Sequence, residues 1–278
     1  MTRATRARRR GPDRRAVRSS VIALLSSVVV LGGIGWVVVH APRWPEVQES
    51  FFNAQILSES LPGLLTSFVV NIELFMIAEV LVLVFGLMLA ILRSLAGPVF
   101  LPIRVMATVY TDLFRAIPGI VVIFILGFGL PPLGLIDPRT DLRVLGIAAL
   151  TLVYSAYVSE VYRAGIESVH PSQDAAARSL GLSRLQSLRH VIVPQAVRRV
   201  IPPLLNDFIG LQKDTVLVSF IGLVEIFRYT QIKSAATYNF TPFLGVALVF
   251  IVVTIPLIRL VDWLVARDRR RVAAGGIR

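Results

Sequence analysis

The sequence predicts an all-α integral membrane protein of about six transmembrane helices, and three observations lead there. Hydrophobic residues make up 55% of the 278 and the mean hydropathy is +0.73, more apolar than a soluble domain of this length needs. The apolar residues gather in six long runs, each near the ~20 residues that a helix needs to cross a bilayer. Lys and Arg then fall between those runs in an alternating pattern, rich on one side and poor on the other.

Taken in order, the first 20 residues form a basic tail carrying Arg3, Arg6, Arg8, Arg9, Arg10, Arg14, Arg15 and Arg18. Val21 to Val39 follows as an uncharged run. It exceeds the ~7–15 residue core of a signal peptide, and no small-x-small cleavage site follows it, so it reads as a retained helix. Further spans are expected at about Leu64 to Leu92, Ile103 to Leu130, Val144 to Tyr162, Ile201 to Val224 and Phe240 to Leu264.

With the N-terminus inside, 22 of the 29 Lys and Arg residues lie in inside segments. The outside loops hold only Arg43, Arg139, Arg143, Arg228 and Lys233. The positive-inside bias therefore predicts a multi-pass protein of the cytoplasmic membrane with both termini in the cytoplasm. It also accounts for the net charge of +12 without nucleic acid as a partner. There are no cysteines, and His40, His170 and His190 form no ligand-spaced cluster, so neither thiol chemistry nor a metal site is expected.

One cytoplasmic segment, Ser172 to Pro203, is polar and arginine-bearing. Ser172 is suited to cap a short helix whose first turns, Asp174 to Leu180, are dominated by Ala175, Ala176, Ala177 and Ser179, with Asp174 near the positive end of the dipole. Gly181 is a left-handed stop, and Ser183 with Gln186 forms a capping box for a second helix. Leu185, Leu188 and Ile192 share one face of it. Pro194 and then Pro202-Pro203 are expected to break the chain, giving helix, turn, helix, turn. Small side chains let a partner's backbone approach closely; the plain alternative is an ordinary interhelical loop.

The spacing distinguishes the two. Ala175-Ala176-Ala177, Gly181, Val191 and Val193-Pro194 resemble the EAA loop of ATP-binding-cassette importer permeases, with Ala175 standing where the family has glutamate. A wider resemblance, from about Leu61 to Arg269, is to the polar amino acid branch of that family. It is carried by YTDLFRAIPG (Tyr110 to Gly119), YVSEVYRAGIESV (Tyr157 to Val169) and IPPLLNDFIGLQKDTVLVSFIG (Ile201 to Gly222). The resemblance implies a five-helix permease core over 61–269, to which the helix at 21–40 is an addition, with cytoplasmic tails at 1–20 and 270–278. It implies that the loop at 170–200 is a coupling helix through which a separate ATPase drives import of a polar amino acid, glutamate or a relative. It further implies two ATPase subunits, a second permease subunit, identical or homologous, and an extracytoplasmic binding protein. The docking surface would involve Asp174, Ala175, Ala176, Ala177, Leu180, Gly181, Ser183 and Pro194.

No G-x-x-x-x-G-K-[ST] occurs in the chain, so ATP and Mg²⁺ belong on the partner and no cofactor or catalytic residue is expected here. HExxH and GxSxG are likewise missing, which removes the support for a membrane enzyme. An ion-coupled secondary transporter is the alternative, but it would call for two inverted repeats, which five core spans do not divide into. A purely structural anchor would leave the polar residues without a purpose.

Charges within spans are costly and ask for a partner or a wet path. Arg115, two residues before Ile117-Pro118, is either an arginine snorkelling to the interface or a path residue beside a proline kink. Glu160 and Arg163, three apart, read as an intrahelical pair. Asn206, Asp207, Gln212, Lys213 and Asp214 are the densest polar cluster. They either line a translocation path, with Arg115, Pro118, Asn206, Lys213 and Asp214 as its candidates, or fix helix packing through salt bridges. Glu73 and Glu79 are further intramembrane acids.

Overall fold

The computed structural model describes residues 14–95, 97–134, 137 and 139–275, with side chains from 21 to 267. Arg3, Arg6, Arg8, Arg9 and Arg10 of the basic tail, and residues 276–278, lie outside the described residues. The described residues are helical, with no strand among them. They divide into two units, Met1–Asn53 and Ala54–Arg278.

The first unit holds α1 (Arg14–Val39) and α2 (Trp44–Phe51). The apolar part of α1, Val21–Val39, has a mean hydropathy of 2.4 and is apolar on every face, the composition that a helix surrounded by lipid requires. Helix α2 starts with Pro45 in its first turn, where a missing N–H costs nothing.

The second unit holds α3 (Ala54–Ser94), α4 (Leu101–Ala116), α5 (Gly119–Phe124), α6 (Leu142–Glu167), α7 (Pro171–Ser179), α8 (Arg184–Ser187), α9 (Val193–Asp214), α10 (Ile226–Thr237) and α11 (Thr241–Gly275). Among the described residues of the two units together, four helical stretches, the apolar part of α1 being one of them, are long and apolar enough to cross a membrane, and two bent pairs bring the number up to six. The main core gathers Leu74, Phe75, Ala78 and Val82 of α3, Ala149, Leu150 and Val153 of α6, and Leu211 of α9. A second cluster joins Leu64 and Phe68 of α3 to Ile226 of α10 and Val246 and Val249 of α11. Small residues allow the close helix approaches that hold membrane bundles together. A Cβ on Gly86 of α3 would stand 2.6 Å from Val158 of α6. Asp141 caps α6, its carboxylate accepting from the Arg143 N–H at 2.9 Å.

Three expectations need correction or sharpening. The run at Ile103 to Leu130 bends at the expected proline, and the bend is a full break: α4 ends at Ala116, Ile117 and Pro118 are extended, and the path resumes at Gly119 after a bend of 105°. Pro118 both bars the preceding residue from helical geometry and lacks a donor, so the break falls there. Secondly, Pro194 and Pro202-Pro203 do not interrupt the chain. A π turn at Leu188–Ile192 leads into α9, Pro194 sits in the first turn of α9, where its missing donor is harmless, and both later prolines lie inside that helix. Thirdly, the span placed at Ile201 to Val224 starts earlier and ends in a tight 3-10 stretch, Thr215–Ile221, stopped by Gly222 at φ +100°.

Candidate functional site

Three features of the second unit bear on function, the first being the exposed segment that follows α6. Helix α7 is capped by His170 rather than Ser172: its Nδ1 accepts from the Ser172 N–H at 3.2 Å. Pro171 fixes the first helical residue one position ahead of the serine, which moves the cap to the residue before it. At the other end Gly181 adopts φ +88°. Its N–H donates to the Arg178 carbonyl at 3.0 Å, and the Leu182 N–H to that of Ala177 at 3.2 Å, a full Schellman stop. The capping box is present: the Ser183 N–H donates to Gln186 Oε1 at 2.9 Å and the Gln186 N–H to Ser183 Oγ at 3.3 Å.

Ala175 and Ala176 face outward, whereas Ala177 is turned in, at 5% exposure. Leu180 (84% exposed) and Leu185 (72%) stand out beside them. Asp174 is half-buried and accepts from the hydroxyl of the buried Ser187 at 2.5 Å, tying α7 to α8. The segment is fastened to the bundle as well: Arg199 of α9 donates to the Ser168 carbonyl at the end of α6, and Val200 packs against Gly165. Pro194 is exposed at the base.

The second feature is a cavity of about 240 Å³ between α5, α6 and α9. Its polar wall is Tyr154 and Tyr157 of α6 with Asn206, Asp207 and Asp214 of α9; Gly119 and Ile123 close the α5 side. The Tyr154 hydroxyl donates to Asp214 Oδ2 at 2.8 Å. One Asp207 oxygen, Oδ2, is sealed from solvent without a hydrogen-bond partner. The polar cluster of α9 is thus divided by helical periodicity. Asn206, Asp207, Gly210 and Asp214 turn to the cavity, whereas Gln212 is buried toward α11, where Thr254 Oγ1 donates to its Oε1 at 3.3 Å. Lys213 points away from the cavity and is exposed. Pro118 caps α5 next to the cavity, and Arg115 lies just before it.

The third feature is centred on Glu160. Arg163 pairs with it within α6, as the spacing indicates, but Arg93 of α3 also reaches it at 2.9 Å and Arg115 of α4 at 3.8 Å. One carboxylate therefore gathers guanidinium groups from three helices, and Arg163 extends the chain to Glu167. Midway along α3, Glu73 meets Arg143 at 3.3 Å, and Glu79 lies within electrostatic range of Asp207.

Sequence reasoning missed Arg93, Tyr154 and a buried network on α10. There the Glu225 carboxylate accepts from the Phe227 and Arg228 N–H groups and from Asn71 Nδ2 at 2.8 Å, while Asn71 Oδ1 accepts from the Ile226 N–H. Among the described residues no three His, Asp or Glu side chains are grouped to hold a metal ion.

Residues 94–270 match the family described as binding-protein-dependent transport system inner membrane component. The chain belongs to that family. A probable glutamine ABC transporter permease of Bacillus subtilis (strain 168) is 38% identical over 175 residues, 63% of this chain and 78% of its own. A glutamate/aspartate import permease of Escherichia coli O6:H1 is 36% identical over 64% of this chain and 80% of its own. Among solved structures, one titled "Crystal structure of an amino acid ABC transporter with histidines" superposes with a TM-score of 0.72 at 30% identity, covering 77% of this chain and 98% of that one. A methionine transporter in inward-facing form, at 17% identity and TM-score 0.61, shares the fold. The protein is accordingly a multi-pass permease subunit of an ABC importer, a transport component rather than an enzyme, and nothing favours an ion-coupled secondary transporter.

Proposed function

We propose that the permease carries a polar amino acid through the cavity walled by Tyr154, Asn206, Asp207 and Asp214, driven by an ATPase subunit that seats on α7 and α8. The observation that carries the reading is physical continuity: the outward face of Ala175, Ala176, Leu180 and Leu185 is fastened through Asp174–Ser187 and Arg199–Ser168 to α9, and α9 supplies the polar wall. Two ATPase subunits supply ATP and Mg²⁺, a second permease subunit completes the path, and an extracytoplasmic binding protein delivers the substrate. Gly181 and Ser183 shape the docking face, and Pro194 marks its base. The arginine bias supports cytoplasmic termini and a cytoplasmic docking face.

The cavity wall carries two carboxylates and no Lys or Arg. Asp207 and Asp214 suit the α-ammonium group that every free amino acid bears. A second substrate carboxylate would meet two like charges, so the lining favours a glutamine-like or cationic side chain over glutamate itself. The relatives carry names of both kinds, one for glutamine and one for glutamate and aspartate, so the preference rests on the cavity lining alone. Lys213, facing outward, is assigned to contact with the second permease subunit rather than to the cavity.

Competition uptake in vesicles holding the reconstituted importer tests the reading. Unlabelled glutamine, histidine and glutamate are each added against labelled glutamine. Glutamate competing best would overturn the substrate preference, and uptake indifferent to Asp214→Asn would overturn the cavity assignment.

A further inference from the structure

We propose that the groove between the end of α3, the start of α4 and the end of α6 holds the phosphate headgroup of an anionic phospholipid from the surrounding bilayer. The groove encloses about 400 Å³ and is lined by Arg93, Arg104, Arg163 and Glu167, with Val105 and Val109 below them.

Its position comes from the helices. Arg93 lies in the last turn of α3, Arg104 in the first turn of α4 and Arg163 one turn before the end of α6. All three apolar spans stop there, so the guanidinium groups sit at the level of lipid headgroups. Val105 (51% exposed) and Val109 (58%) continue from Arg104 along α4 for about 7 Å toward the bilayer interior. A charged rim over an apolar wall is the profile of a phospholipid.

The charge count supports an anion. Arg93 and Arg163 share Glu160, and Arg163 also holds Glu167. Arg104 has no carboxylate within ion-pair distance among the described residues; one of its N–H groups donates to the Leu95 carbonyl at 3.0 Å. A guanidinium offers five donors, so Arg104 retains an uncompensated charge and free N–H groups directed to a groove that already contains two more arginines. A phosphodiester, with one negative charge and two acceptor oxygens, matches that remainder. The site is independent of the cavity and of the docking face; only its assignment to the cytoplasmic leaflet rests on the topology proposed above.

The full-length permease is reconstituted with equal phosphatidylglycerol and phosphatidylcholine, extracted gently, and its retained lipid counted by native mass spectrometry. Phosphatidylglycerol is expected in excess, and Arg104→Ala should lower the ratio about fivefold, since each basic contact to an anionic headgroup carries that order of preference. Arg104→Lys should keep most of it. Thr108→Glu, which places a carboxylate one turn from Arg104 without removing it, should lower the ratio as well and guards against misfolding of the alanine variant. A ratio near one in the unmodified chain, or a ratio unmoved by both variants, would overturn the proposal. Stripping of phosphatidylglycerol by excess inorganic phosphate would show a site for the bare anion and overturn the lipid assignment. So would a disulfide between two copies through Val105→Cys, because the groove would then be covered by protein.

Discussion

Asp174 Oδ1 accepts the hydroxyl proton of Ser187 at 2.5 Å, across the turn that separates α7 from α8. The one acidic side chain in this segment is therefore directed into the fold and not toward a partner. Replacing Ser187 with alanine leaves a half-buried carboxylate short of a donor, at a cost of about 1–3 kcal/mol. Amide hydrogen exchange in residues 171–187 should quicken while that of α11 stays constant. The ATPase should copurify in lower yield, through loss of a preformed face and not of a contact. Unchanged exchange would mean that the bond is dispensable.

Leu180 and Leu185 are the aliphatic side chains that this segment leaves most open. A charge at either position would have to be stripped of water on docking. Leu180→Glu is expected to reduce ATPase association about tenfold or more while leaving the melting temperature of the isolated permease within about 2 °C. Pull-down and thermal denaturation of the same preparation separate the two effects.

In the cavity, Tyr154→Phe removes the donor to Asp214 without changing the shape of the ring, and Asp214→Asn removes the charge. A hydrogen bond to a charged group contributes about 1.5–3 kcal/mol, so uptake should fall about 10- to 100-fold. Lys213→Ala should leave substrate binding by the cavity intact, because that side chain points elsewhere. Equilibrium binding of labelled substrate to the purified permease distinguishes the positions.

Glu160 is the shared ion-pair partner of three arginines. Glu160→Gln should lower stability by about 2–3 kcal/mol, less than the ~3–5 kcal/mol for a sealed pair because the carboxylate keeps 23% exposure. Adding Arg93→Leu to Glu160→Gln should recover part of the loss, since the stranded guanidinium is then removed too. Chemical denaturation of the single and double variants gives the coupling.

A further variant concerns the middle of α3. Asn71→Leu withdraws one donor from the buried Glu225 carboxylate and one acceptor from the Ile226 N–H. The expected loss is about 2 kcal/mol, with protease sensitivity rising first in α10. A global loss with no local preference would indicate that the network supports the whole bundle.

Local chemistry was legible where one residue decides the outcome. Gly181 and the Ser183–Gln186 pair announce their turns because each stabilises a neighbouring backbone group directly. The hydropathy pattern likewise announces the long helices α3, α6 and α11. Pro194, Pro202 and Pro203 misled, because a proline's effect depends on whether its missing hydrogen bond was needed, and a π turn and tertiary packing decide that from outside the dipeptide. The same limit hid Arg93: its partner is 67 residues away, and no spacing rule within one helix reaches it. Asn206 and Asp214 could be placed together by the 3.6-residue period, whereas the outward turn of Lys213 needed the orientation of the whole helix.

Helix α9 runs 22 residues with two prolines about halfway along it, and that arrangement has a mechanical consequence. Two adjacent rungs of its hydrogen-bond ladder are missing at Pro202 and Pro203, which makes the rod bend more readily there than at any other point of the helix. From that joint to Asp214 is about 18 Å. A tilt of only 10° or so at the joint would carry the Asp214 end sideways by about 3 Å, which is the reach of its bond to Tyr154. A nod of the docked end too small to disturb the core is thus large enough, by leverage alone, to open or close one substrate-facing hydrogen bond.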